Sequence, residues 1–100
     1  MSKRRVVITG MGAVTPLGLT CPDSWQAVRE GVCGIAPITQ FDASELKVKL
    51  AAEVKGFAPE ELLGKADAKR MGRFTQFAAV AAQEALADAG FDVSSADPDR

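Results

Sequence analysis

The stretch "RRVVITGMGAVTPLG", Arg4 to Gly18, decides the fold. Val6, Val7 and Ile8 are consecutive β-branched residues with no polar alternation, the pattern of a strand covered on both faces in a parallel sheet. Such a strand requires layers above and below it. Gly10 and Gly12 follow at once and allow positive φ or the close approach of another segment, while Pro16 fixes φ and turns Thr15 away from helix. The strand is therefore expected to end in a shaped loop.

Glycines after a strand also raise the possibility of a dinucleotide site. That fingerprint needs G-x-G-x-x-G or -A with a helix opening inside it, yet Thr15 stands at the third position and Pro16 just beyond. Proline there would break the helix whose N-terminus should hold a pyrophosphate. A short-chain reductase pattern after Thr9 and Gly10 would require glycine where Val14 and Pro16 stand. The residues favour a strand-to-loop turn with no ligand of its own, and no cofactor is expected.

Composition narrows the remaining classes. With 100 residues, 47% apolar and 25% charged, the chain is an ordinary globular protein of one small domain. Its net charge of -1 gives no global attraction to nucleic acid or to an anionic membrane, and no stretch of about 18 apolar residues could span a bilayer. Lys3, Arg4 and Arg5 precede an apolar run too short for a signal peptide, so a cytoplasmic protein is expected. Cys21 and Cys33 are too few for a disulfide framework, and a chain without histidine offers them neither a metal-ligand partner nor a base. Both are expected to be small, semi-buried side chains without a catalytic or metal-binding role.

Further along, Asp23 is placed to cap a short helix, with Gln26 three residues on as in a capping box and Gly31 at its C-terminal end. Trp25, Val28 and Val32 would form its inner face. Gly34 to Asp42 reads as a loop. Leu46, Val48 and Leu50 alternate with Lys47 and Lys49, a half-exposed strand continuing less regularly to Val54. Pro59 opens a helical turn with Glu60 and Glu61 near its positive end. From Ala66 to Ala89 the spacing predicts one long helix, with Met71, Phe74, Ala78, Ala81, Ala82, Ala85 and Leu86 on its packing face and Gln83, Glu84 and Asp88 in solvent. Gly90 should cap it, with Phe91 touching Leu86, and Asp92 to Arg100 reads as a linker. One doubly covered strand, a second strand and about three helices do not complete a sheet of this kind.

Five segments carry a resemblance in one colinear register: the opening itself, "SWQAVREGVCGI" (Ser24 to Ile35), "FDAS" (Phe41 to Ser44), "VKGF" (Val54 to Phe57) and "KRMGRFTQFA" (Lys69 to Ala78). Together they resemble the β-ketoacyl-[acyl-carrier-protein] synthases, the condensing enzymes of fatty-acid synthesis, and most closely the type II branch. The fold this implies is α/β: the first part of the N-terminal half of a thiolase-like, layered α/β/α/β/α architecture, incomplete in this chain, with residues 1–100 forming part of the synthase N-terminal domain. The activity it implies is decarboxylative condensation of an acyl thioester with malonyl-acyl carrier protein by a homodimer. That chemistry uses a nucleophilic cysteine, two histidines and an oxyanion hole. None of those family residues falls within Met1 to Arg100, so no catalytic residue is assigned. A non-catalytic relative that sets chain length or scaffolds a partner is the alternative, with a nucleotide-dependent reductase a distant third.

One surface remains. On an uninterrupted helix Lys65, Lys69 and Arg73 lie four apart and share a face, with Arg70 flanking. In the family, acidic acyl carrier protein is received on basic residues near this helix, so the resemblance implies docking on Lys65, Lys69, Arg70 and Arg73. Asp67 opposes this by charge and Gly72 by helix propensity. A solvated face that only balances charge is the competing explanation.

Overall fold

The computed structural model describes residues 3–92 and 94. In chain order they form α1 (Cys21–Glu30), β1 (Ile35–Pro37), β2 (Leu50–Ala52), α2 (Pro59–Leu63), α3 (Lys65–Arg70) and α4 (Arg73–Ala89). The mixed α/β character matches the sequence. The linker expected over Asp92 to Arg100 lies, apart from Asp92 and Ser94, outside the described residues.

α4 is the platform, and the glycines of the opening stretch lie on it. A Cβ built on Gly10 would collide with the Ala85 carbonyl and Ala89, and one on Gly12 with the Ala81 carbonyl and the Ala85 backbone. Only backbone without a side chain fits against a helix face made of alanines. The space in front of these glycines is thus filled by α4. Two carboxylates hold the approach. Asp88 Oδ2 accepts from the Met11 N–H at 3.0 Å, and Glu84 Oε1 accepts from the Ala13 N–H at 2.9 Å. Glu84 also accepts from the Cys21 N–H, at 2.9 and 3.1 Å, and so receives a free amide at the start of α1. The expectation that Glu84 and Asp88 face only solvent is corrected: they are the side chains that fasten the opening stretch to the helix.

Between these anchors Thr15 and Gly18 exchange two backbone hydrogen bonds, of 2.8 and 3.2 Å, around Pro16 and Leu17. Ser24 is buried and fully engaged: its hydroxyl lies 2.7 Å from Thr15 Oγ1 and donates to the Gly18 carbonyl at 3.2 Å. α1 is capped by Thr20, whose Oγ1 accepts from the Asp23 N–H, and not by Asp23 itself; Gln26 donates to Glu30 instead of closing a capping box. At the other end Gly31 takes φ 75° and the Val32 N–H reaches the Ala27 carbonyl at 3.0 Å, the left-handed cap the sequence requires. The inner face differs from the hydrophobic pattern. Ser24 and Ala27 are buried, whereas Trp25, Val28 and Val32 are exposed. At Ser24 the turn before α1 comes close enough to bond the hydroxyl to Thr15 and Gly18.

β1 and β2 pair antiparallel, Ile35 with Ala52, Ala36 with Ala51 and Pro37 with Leu50. Ile35 to Pro37 is a strand where a loop was expected, and the second strand is shorter than Leu46 to Val54. Glu53 closes this pair to the following turn by accepting from the Thr39 hydroxyl and from the Thr39 and Gln40 N–H groups. Desolvation, the largest single influence on Glu53, raises its pKa, but these hydrogen bonds and the Lys55 charge together outweigh it and hold the carboxyl below its ordinary 4.5.

The long helix is two helices. Met71 leaves helical geometry at φ -108°, ψ 139°, and Gly72, extended at ψ 162°, becomes the N-cap of α4. Gln76 stabilises the break by donating its amide to the Ala68 carbonyl at 2.9 Å, satisfying an acceptor at the end of α3. Ala81 and Ala85 lie on the packing face as expected, but Phe74 points outward. At its far end α4 closes with Gly90 at φ 64° and the Phe91 N–H on the Leu86 carbonyl.

Val6, Val7 and Ile8 are 94, 69 and 82% exposed and form no ladder. The inner-strand expectation is not met among the described residues, because a strand exists only through partners and the β1–β2 sheet does not reach it. Among the described residues the buried apolar core is limited to Ala27, Ala43, Ala68 and Val80. The chain exposes 8101 Å², where area–mass scaling gives roughly 5,400 Å² for a folded monomer of its size. Its radius of gyration of 17.4 Å compares with roughly 13 Å for a compact chain of this length.

Gly12→Ala is expected to destabilise the protein by about 3 kcal/mol, since backbone must move to admit the methyl group. Gly31→Ala, with open space around its Cβ, should cost only about 1 kcal/mol for its left-handed φ. Denaturant unfolding measures both. Equal costs would mean that the approach to α4 is not tight.

Candidate functional site

The basic residues divide into three kinds. Lys65 and Lys69 stand four apart on α3, exposed, with no carboxylate paired to either among the described residues. Ala68, buried, fixes which side of α3 faces inward. Arg70 is also exposed, but its Nη2 donates to Asp67 Oδ1 at 2.7 Å, one turn back on the same helix. Arg73 belongs to α4. Its Nη2 donates to the Val54 carbonyl at 2.9 Å, and its guanidinium lies 5.0 Å from the Phe77 ring centre and 5.8 Å from that of Phe57. Those two rings meet edge to face at 4.9 Å.

The structure therefore brings together Lys65, Lys69 and Arg70 on α3 and separates Arg73 from them. The single stripe drawn from helical spacing is corrected by the break at Met71 and Gly72, across which α3 and α4 no longer share a face. Arg73 acts as a clip between the segment after β2 and the first turns of α4. A signal for this was present in the sequence, since Phe77 follows Arg73 by four residues and places an aromatic ring within its reach.

A groove of about 930 Å³ lies where the opening stretch, α1 and α4 meet. Met11, Cys21, Pro22, Trp25 and Ala87 give it an apolar lining, together with Glu84 and Asp88. Both carboxylates are occupied by backbone N–H groups, so the groove offers surface for packing more than groups for chemistry. Cys21 is half-buried there, as expected, whereas Cys33 is exposed, with its thiol 3.8 Å from the Ile35 carbonyl. Among the described residues no three His, Cys, Asp or Glu side chains are grouped to hold a metal ion, and no helix is long and apolar enough to cross a membrane.

A glycine-bearing opening stretch seated on an alanine-rich helix, followed by α1 and later a basic short helix, is an arrangement with known counterparts. The profile of the β-ketoacyl synthase N-terminal domain matches residues 3–100. The chain is 46% identical over 99 residues to 3-oxoacyl-[acyl-carrier-protein] synthase 2 of Synechocystis, covering 99% of this chain and 24% of that protein. The synthase 2 of Staphylococcus aureus is 46% identical over 97 residues, with 97% and 23% covered. Among solved structures, the ishigamide ketosynthase/chain length factor superposes with a TM-score of 0.82 at 34% identity, covering 93% of this chain and 23% of that one. A β-ketoacyl synthase from Burkholderia phymatum gives 0.74 at 34% identity, with 97% and 24% covered. The chain belongs to the β-ketoacyl synthase family, as part of its N-terminal domain, and its fold is the opening part of a thiolase-like ketosynthase. It spans about a quarter of the length of the relatives it matches.

Arg73→Ala is expected to lower stability by about 1 to 2 kcal/mol through the lost ring contacts and hydrogen bond. Lys69→Ala, which removes an exposed side chain with no hydrogen bond or ion pair among the described residues, should stay within about 0.5 kcal/mol of the parent. Thermal unfolding of both variants distinguishes the clip from the free surface; an equal response would remove the distinction.

Proposed function

We propose that this chain is the N-terminal portion of a 3-oxoacyl-[acyl-carrier-protein] synthase, a homodimeric cytoplasmic enzyme that elongates acyl chains in fatty-acid synthesis. The observation that carries this reading is the colinear match of nearly every residue, at 46% identity, to proteins named for that activity. In the reaction a cysteine thiolate takes the acyl group from its carrier thioester. Malonyl-carrier protein then loses carbon dioxide, and the carbanion so formed attacks the acyl thioester, making a carbon–carbon bond and releasing the thiolate. Residues 1–100 contain no histidine to serve Cys21 or Cys33 as a base, and the Glu84 carboxylate next to Cys21 is taken up by backbone N–H groups, so this portion contributes scaffold and docking and not chemistry. The Val6 to Ile8 run is an inner strand of that scaffold, covered by family layers outside residues 1–100.

Acyl carrier protein, acidic and flexible in its cargo arm, docks on Lys65, Lys69 and Arg70, while Arg73 holds α4 in place behind them. A second reading, a non-catalytic condensing-enzyme partner, draws support from the superposition on a ketosynthase/chain length factor. The 46% identity to proteins named as synthases supports the first reading.

In the complete synthase, Lys69→Glu combined with Arg70→Glu should raise the apparent KM for acyl carrier protein several-fold, more at low salt, because rim charges act on encounter and are screened. A small thioester substrate should be almost unaffected. Equal effects on both substrates would show that the surface is structural.

A further inference from the structure

The ion pair on α3 gives the docking surface a feature that the cation count alone conceals. At about 100° per residue, Lys65 and Lys69 lie only about 40° apart on the helix, while Asp67 lies about 160° from Lys69 and Arg70 about 100° from it. The 2.7 Å bond to Asp67 therefore draws the Arg70 guanidinium away from the two lysines. Both members of the pair are exposed, so the bond is weak enough to exchange. Arg73 is committed elsewhere by its bond to the Val54 carbonyl and its contacts with Phe57 and Phe77.

We propose that Asp67 withholds Arg70 from the Lys65/Lys69 face, so that an acidic partner docks on two lysines and gains Arg70 only by displacing Asp67. This inference rests on the docking reading above and narrows it. An incoming carboxylate meets two point charges first. Bidentate pairing with Arg70 requires one carboxylate to replace another, which leaves Asp67 facing an acidic surface. Asp67 thus keeps the encounter weak and rapidly reversible, as suits a carrier that must leave after each transfer.

The test measures association of acyl carrier protein with the complete synthase at low and high salt, for the parent and four variants. Asp67→Asn should raise the association rate roughly threefold at low salt, with the gain lost at high salt. Asp67→Ser, which keeps a short oxygen acceptor in the first turn of α3, must give the same gain, so that a folding defect in one variant does not decide the result. Adding Arg70→Gln to Asp67→Asn should return the rate to that of the parent or below. Lys65→Gln with Lys69→Gln should weaken association on its own. If the lysine pair matters but the Asp67 variants change nothing or slow association, docking stands and the proposal is wrong. A gain that survives Arg70→Gln would also overturn it, because removal of like-charge repulsion would then suffice. If the lysine pair has no effect, the docking reading falls and this inference with it.

Discussion

The close approach of Gly10 and Gly12 to the alanine face of α4 is the contact on which the rest of the structure depends. Neither side tolerates a larger group: alanine keeps the helix narrow, and glycine lets backbone press against backbone. That approach brings the Met11 and Ala13 amides within reach of Asp88 and Glu84, and the same Glu84 receives the first amide of α1. One carboxylate thereby fixes the distance between the opening stretch, α1 and α4. The Thr15 to Gly18 turn, with buried Ser24 inside it, is the connection this spacing permits.

With backbone and small side chains making the contacts, little apolar surface is left to bury. Ala27, Ala43, Ala68 and Val80 are a small core, and the chain exposes roughly 2,700 Å² more than a compact monomer of its mass would. An excess of that size is comparable to an obligate interface. Part of it lies along Val6 to Ile8, where family layers are proposed to lie, and on the outward side of α1 at Trp25, Val28 and Val32. Hydrophobic patterning identified these residues as ones to be covered, and the described residues do not cover them.

Local features were legible because their causes are local. Gly31 and Gly90 close helices through their own left-handed backbone, Pro59 starts α2, and Gly10 and Gly12 announce a close approach without naming what approaches. What the sequence concealed depends on distant partners. Glu84 and Asp88 look solvated on a helical wheel, and only the return of the chain from 71 and 77 residues away gives them amides to hold. The break at Met71 and Gly72 was masked by a helical pattern that runs through it, and it depends on Gln76 reaching back to Ala68. This break decides the candidate site, since it leaves Lys65, Lys69 and Arg70 on one helix and turns Arg73 into a clip.

The central claim, that Val6 to Ile8 is an inner strand completed by family layers outside residues 1–100, is tested most directly by amide hydrogen exchange. The complete protein and the 100-residue chain would be compared at the Val6, Val7 and Ile8 amides. Laddered in the complete protein, these amides should exchange only through large-scale opening, at least about a thousandfold slower than an unprotected amide, and at close to unprotected rates in the 100-residue chain. Rapid exchange in both, or equal protection in both, would contradict it.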